Sequence, residues 1–462
     1  MPDSTLPLPP EVAEFVSHHP EIESIDAIYP DLSGVIRGKR YPIDQLEKIF
    51  GSGLNFPGSV FLLAANGESM DPEGFGFSDG DPDEIAKPVP GTLTPVAWSP
   101  RPLAQVLLTF ETLEGAPYRF EPRNLLKQVL ARFAELELKP VVAFELEFYL
   151  IDRERTAERA PQPPISPLTG ERDHATQVYG MNELDAFDPF LDDVRKACAL
   201  QGIETGAISA EYAPGQFEIN LHHSDDPIRA ADDCALFKRA VKGCARKHGY
   251  QATFMAKPYM EEAGSGLHLH CSLLDKDGNN AFAAGEDGGQ DGIGPLLRHA
   301  LGGTMKALPE SMAFLAPNPN SFRRFRPNLF VPLRRSWGHE NRSVALRVPT
   351  GEPESRRIEH RVAGADANPY LALASFLASV HHGIVDEVDC GPAFEGNAGE
   401  SPDGEMPLRP RRALERLRHS EVLNSYFGEE YLKVYAACKE AEYDSFEDRA
   451  SPAEYDWYLH SE

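Results

Sequence analysis

The segment Val141–Leu150, read Val-Val-Ala-Phe-Glu-Leu-Glu-Phe-Tyr-Leu, constrains the fold more than any other. Side chains alternate across a strand, so Phe144, Leu146 and Phe148 take one face and Glu145 and Glu147 the other. The apolar face demands a covered core. The two glutamates are costly to bury unless something cationic meets them. The segment therefore reads either as one wall of a cation site or as a half-exposed strand with a wet face.

Three further segments carry polar groups in the same pattern. In Glu211-Tyr-Ala-Pro-Gly-Gln-Phe-Glu218, continuing to Asn220, residues Gln216, Glu218 and Asn220 share a strand face. The Pro214-Gly215 turn folds Glu211 back towards them. In Gly264-Ser-Gly-Leu-His-Leu-His-Cys-Ser272, glycines allow close backbone approach, and His268, His270 and Ser272 then alternate onto one face. The histidines read as ligands or as satisfied core residues. In Arg357-Ile-Glu-His-Arg361, residues Arg357, Glu359 and Arg361 face one way. Five glutamates and one histidine form a hard-oxygen donor set, which suits Mg²⁺ or Mn²⁺ rather than zinc. Six protein ligands are too many for one such ion that also carries water and phosphate, and are about right for two.

Between Ser321 and Arg361 the chain has ten arginines, no lysine and four acids, although its formal net charge is −27. Exclusive use of arginine favours planar, bidentate recognition of phosphate or carboxylate, with salt bridges between subunits as the alternative for part of the block. No phosphate-binding P-loop and no dinucleotide-binding glycine motif occurs. Metal-binding carboxylates beside arginines point to phosphoryl transfer. The acidic balance opposes binding to nucleic acid or to an anionic membrane surface, and is compatible with a cationic substrate. No apolar run is long enough for a spanning helix, and no secretory signal is expected at Met1–Pro10. Six scattered cysteines without metal-binding spacing indicate a reducing, cytoplasmic setting.

The 462 residues admit two or three domains. Residues 11–120 mix short strands (Ile25–Tyr29, Val106–Phe110) with a helix at Pro42–Phe50, as in a small α+β domain. The stretch Gly67–Glu84 has seven acids and no base, and reads as an exposed loop. A helix is expected over Asn124–Glu137, followed by alternating strands and helices. Pro161–Gly170 and Asp275–Gly294 read as surface loops, and Gly391–Pro410 as a linker before a helical tail.

These motifs, in this order over roughly residues 20–460, resemble the glutamine synthetase family. The segments Asp31-Leu-Ser-Gly-Val-Ile-Arg-Gly-Lys39, Asn341-Arg-Ser-Val-Ala-Leu-Arg-Val-Pro349 and Asn368-Pro-Tyr-Leu-Ala372 add to the likeness. The resemblance implies an α+β fold. A β-grasp-like domain would span residues 1–118. A catalytic domain would span 119–462, with a curved antiparallel sheet flanked by helices. It implies one divalent ion, Mg²⁺ or Mn²⁺, on Glu147, Glu211 and Glu218, and a second on Glu145, His268 and Glu359. It implies nucleotide contacts from His270, Ser272, Arg347 and Arg357, and L-glutamate contacts from Gly264, Arg324 and Arg361. Arg342 and Arg361, with Arg324, would serve ATP-dependent formation of a γ-glutamyl phosphate. Hexameric rings or a dodecamer, with active sites between subunits, are also implied.

Departures from the family pattern bear on the nitrogen substrate. The loop Ala64-Ala-Asn-Gly-Glu-Ser69 lacks the ammonium-binding Asp, and Phe330 stands where the family has a flap Glu. A phenyl ring neither pairs with NH₄⁺ as a carboxylate does nor takes its proton. Ala263 replaces an Asn, and Ser209-Ala210 replace a His pair. The departures point to ligation of a larger amine, with Glu68, Phe330 and Trp337 as amine-pocket candidates and Glu68 or His339 as the base. The acidic Gly67–Glu84 loop favours a polyamine (putrescine, spermidine or spermine). Phe330 and Trp337 favour a monoamine. An ammonia-using glutamine synthetase and a non-catalytic oligomeric member are the remaining alternatives.

Overall fold

The computed structural model describes residues 9–172, 174, 177–283 and 292–461. Of the Met1–Pro10 stretch, residues 1–8 lie outside these, as do 284–291 of the expected Asp275–Gly294 loop.

Two separate sheets organise the chain. The first lies within residues 24–111 and runs in the order Ile36–Pro42, Ser24–Pro30, Leu103–Glu111, Asp83–Pro88, Leu54–Pro57, with Thr94–Pro95 also on Leu103–Glu111. Ser24–Pro30 and Leu103–Glu111 are parallel, and the other pairs are antiparallel. An aromatic cluster fills its core, with Phe61 and Phe110 ring centroids 4.7 Å apart and Tyr29 and Phe110 5.0 Å apart.

The Gly67–Glu84 stretch corrects the expectation of a wholly exposed loop. Asp83 and Glu84 open the strand Asp83–Pro88, and Glu84, opposite Phe56, is only 9% exposed. Other acids there are taken up by hydrogen bonds. Asp71 accepts from Ser78 N–H, Asp79 from Gly76 N–H, and Asp81 from the amide and hydroxyl of Ser59. Part of the negative charge is thus committed to local turns.

The second sheet has the order Trp337–His339, Leu346–Val348, Ile358–His360, Leu267–Leu274, Lys139–Ile151, Gln216–Leu221, Thr205–Ala210, with Gln251–Thr253 also on Lys139–Ile151. It is antiparallel except at one end, where Trp337–His339 and Leu346–Val348 run parallel. Phe144, Leu146 and Phe148 are buried on the apolar face, as their alternation predicts. They join a core built with the helices Pro122–Glu135, Pro227–Lys247, Pro295–Leu315 and Pro369–Val385. Each of these helices begins with proline, whose missing N–H costs nothing at that position. That places the start of the helix expected at Asn124 two residues earlier. Asp226 and Asn368 cap two of them, accepting from Ile228 and Arg229 and from Tyr370 and Leu371.

A buried ion pair pins three of the helices together. Arg123 donates to both oxygens of Asp232 (2.8 and 3.0 Å), and the Tyr370 hydroxyl donates to Asp232 at 2.8 Å. Removing one partner leaves a buried charge uncompensated. Asp232→Asn is expected to lower the unfolding free energy by about 3 kcal/mol, measured by denaturant titration.

Candidate active site

The polar face of the second sheet is assembled by strand register. Glu145 lies opposite His268 on one side and Asn220 on the other, Glu147 opposite Glu218, and Glu359 opposite His270. Directly opposed residues have Cβ atoms about 5 Å apart, so the register alone brings the acids together. The Gly215 turn, at φ 74°, returns the chain so that Glu211 N–H donates to the Gln216 carbonyl at 2.9 Å. This carries Glu211 to the same face.

A cavity of about 480 Å³ opens over this face. Its lining includes Glu145, Glu147, Glu211, Glu218 and His268, together with Gly264, Arg324, Arg342, Arg361 and Phe330. A second cavity of about 600 Å³ includes Ser272, Glu204, His222 and Glu354. His268 and Ser272 are four residues apart on one strand, so the strand links the two over about 13 Å. His270 and Arg357 lie along this connection, with Arg357 Nε donating to His270 Nδ1 at 3.1 Å.

The acids divide into two electrostatic groups. Burial, with Glu147, Glu145 and Glu211 nearby, pushes the Glu218 pKa up to about 9. Burial and Glu147 push that of Glu211 up to about 7. The other group is compensated. Burial opposes ionisation of Glu145, yet His268 Nδ1 at 3.2 Å and His270 Nε2 at 3.0 Å hold its carboxyl well below the usual range. Burial likewise opposes ionisation of Glu359, but the charges of Arg361, His268 and His270 beside it lower its pKa to about 2, and Arg361 Nη1 and Arg347 Nη1, the latter at 2.6 Å, pair with it. Arg347 also reaches Glu340 at 2.9 Å, which spans two acids with one guanidinium.

The donor set fits divalent cations. Among the described residues, two groups have ligand atoms within 4.8 Å of one another: Glu145, Glu218 and His268, and Glu145, His270 and Glu359. They draw on four of the six expected metal ligands, regroup them, and add His270. Glu147 is held more firmly, accepting from Gly266 N–H at 2.9 Å and from Gln216 Nε2 at 3.3 Å. The mutual repulsion of Glu147, Glu211 and Glu218 is a deficit of positive charge that a divalent ion would meet.

The arginines are fixed by the backbone. Arg324 is 3% exposed and donates to the Val362 carbonyl at 3.1 Å, while its Nε has no partner among the described residues. Arg361 Nε donates to the Arg342 carbonyl at 3.1 Å. Gly264 makes room for this arrangement, since a Cβ there would lie 2.6 Å from Arg324 Cγ.

The amine-pocket candidates separate. Phe330, at φ 54° and 60% exposed, stands in the cavity lining and stacks on Tyr212 with centroids 5.8 Å apart. Trp337 does not line the cavity. It is 1% exposed, and its Nε1 donates to the Gly391 carbonyl at 3.1 Å, so its strand position turns the indole into the core. Glu68 and His339 are exposed and outside the cavity of their own chain. Tyr179, Tyr212, Glu261, Glu262 and Asn328 line it without having been expected to. Tyr212 adjoins Glu211 and the acid pair precedes the glycine turn, so adjacency to a motif was their only signal in the sequence.

Residues 119–458 match the family described as glutamine synthetase, catalytic domain. The chain is 43% identical over 449 residues to the γ-glutamylputrescine synthetase of Escherichia coli K12, covering 97% of this chain and 94% of that one. It is 32% identical to a γ-glutamylethanolamide synthetase of Streptomyces coelicolor, covering 99% and 96%. It is 33% identical to a glutamate–isopropylamine ligase of a Pseudomonas species, covering 93% of each. The solved structure of a GmaS–ADP complex superposes with a TM-score of 0.81 at 28% identity, covering 97% and 99%.

Glu218→Gln removes a carboxyl whose ionisation burial and the neighbouring acids oppose. The metal-free variant is expected to melt at a higher temperature than the wild type and to gain less stability on adding Mg²⁺, as read by paired thermal scans with and without the ion.

Proposed function

Because the chain belongs to the glutamine synthetase family, we propose that it is an ATP-dependent ligase joining an amine to the γ-carboxylate of L-glutamate. The observation that carries this reading is the cavity in which crowded carboxylates face Arg324, Arg342 and Arg361 beside an exposed Phe330–Tyr212 stack. The acids suit cations, the arginines suit carboxylate and phosphoryl oxygens, and the aromatic rim suits the alkyl part of an amine. The named activities of the relatives support an amine larger than ammonia, and the γ-glutamylputrescine synthetase supports a polyamine.

Glutamate is assigned to Arg324, Arg361 and the space kept open by Gly264, and the nucleotide to the side of Ser272, His270, Arg347 and Arg357. Mg²⁺ or Mn²⁺, held by Glu145, Glu147, Glu211, Glu218, His268 and Glu359, would supply neutralisation of phosphate charge. A γ-carboxylate oxygen forms its bond to the terminal phosphorus of ATP as the bond to ADP breaks. Arg342 and Arg361 offset the negative charge that develops on the transferred group. The neutral amine nitrogen then bonds to the γ-carbonyl carbon, phosphate departs, and the nitrogen loses a proton. The phenyl ring of Phe330 offers no charge to ammonium and instead contacts the substrate's carbon atoms.

The division into a β-grasp-like unit of residues 1–118 and a catalytic unit of 119–462 is part of this reading, supported by the two separate sheets and the span of the family match. So are a cytoplasmic location and a hexameric or dodecameric assembly. The exposed Tyr455, Trp457 and Tyr458 near the C-terminus support assembly. Among the described residues, no helix is long and apolar enough to cross a membrane.

Phosphate release dependent on both ATP and glutamate, measured with spermine, spermidine, putrescine, benzylamine, ethanolamine and ammonium, is expected to be fastest with a polyamine. Fastest turnover with ammonium would refute the amine reading. Gly264→Ala forces Arg324 aside, and is expected to raise the KM for glutamate at least tenfold while the KM for ATP changes less, in initial-rate measurements.

A further inference from the structure

Two carboxylates of the cavity over the acids have no part in the steps above. Glu261 and Glu262 share its lining with Phe330, Tyr212 and Arg342. They sit on a segment whose backbone is held at three places. Arg326 Nη1 donates to the Met260 carbonyl at 3.2 Å, Lys257 Nζ to the Glu262 carbonyl, and the Tyr149 hydroxyl to the Ala263 carbonyl at 2.6 Å. All three donors are used on main-chain oxygens. Neither carboxylate of the pair forms a hydrogen bond or salt bridge among the described residues. Lys257, the lysine whose charge they feel, is buried and committed to the carbonyl. The segment is therefore braced while both acid groups stay available to the cavity.

The chemistry of the ligation gives such a pair a use. The attacking nitrogen must be neutral, because a protonated amine has no lone pair. A second amino group on the same molecule is under no such demand. With a pKa near that of lysine, about 10.4, it stays protonated at neutral pH. A diamine in its reactive form thus brings one positive charge into the cavity, whereas a monoamine brings none. The Tyr212–Phe330 rings are apolar surface for the methylenes between the two nitrogens.

We propose that Glu261 and Glu262 bind the distal ammonium of a diamine or polyamine substrate and so select it over a monoamine of equal length. The proposal rests on the amine-ligase reading and assigns its substrate selectivity to two residues outside the metal, phosphate and glutamate sets. The Phe330–Tyr212 stack confers affinity for the chain, and the carboxylates distinguish chains that end in a charge from those that end in a methyl group.

The test compares 1,4-diaminobutane with pentylamine as acceptors, reading kcat/KM from phosphate release in the wild type, E261Q, E262Q and the double variant. The ratio of diamine to monoamine is expected to fall at least tenfold in the double variant, through a raised KM for the diamine. Each protein serves as its own control because the comparison is a ratio. The charge-preserving E261D/E262D variant is expected to recover most of the preference. An unchanged ratio in the double variant overturns the proposal and leaves the ligase reading standing. Loss of preference in a folded E261D/E262D variant equal to that in the double glutamine variant overturns it likewise. Wild-type protein that releases no phosphate with either amine overturns both readings.

Discussion

Like charges held against each other by strand register are the constraint on which the rest of the site depends. The strand Lys139–Ile151 presents Glu145 and Glu147 between neighbours that bring Glu218, His268 and, one strand further, Glu359. A one-residue slip would turn the whole set into the core, so the buried Phe144, Leu146 and Phe148 enforce the crowding of the acids. The hydrophobic face supplies the energy that keeps the opposite face charged.

The strain is distributed unevenly. Where arginines and histidines pair directly with the carboxyls, as at Glu359 and Glu145, the acids stay ionised. Where no such pair forms, as at Glu218 and Glu211, burial and repulsion drive the acids towards protonation. The site is therefore preorganised for added positive charge, and Arg324 and Arg361 are anchored on backbone carbonyls rather than spent on those two acids. Preorganised charge of this kind needs little rearrangement when substrate binds.

Much of this was legible before folding. Period-two alternation marked the strands that hold the acids, and the lysine-free arginine block marked an anion site. Glycine before His268 marked a close approach, which Gly264 makes against Arg324. The aromatic candidates divided because periodicity assigns a face only within a known sheet. Phe330, in a loop at positive φ, projects into the cavity, while Trp337, in the strand Trp337–His339, points inward and donates to Gly391. The acidic stretch Gly67–Glu84 misled in part, because its composition does not reveal that Glu84 lies opposite Phe56 in a strand, that Asp71 and Asp79 cap their own loop, or that Asp81 accepts from Ser59.

By itself the sequence determined which residue types share a strand face, that hard cations and anionic groups meet in one protein, and which family the ordered motifs resemble. Those properties are local: alternation and turn chemistry act over a few residues. Only the tertiary structure decided which acids pair with an arginine and which crowd another acid, that Tyr212 stacks on Phe330, and that Glu261 and Glu262 join the cavity with their backbone braced and their carboxylates unpaired among the described residues. These depend on contacts between segments tens to hundreds of residues apart, and the energy of a charge is set by what lies within a few ångströms in space, whatever the separation along the chain.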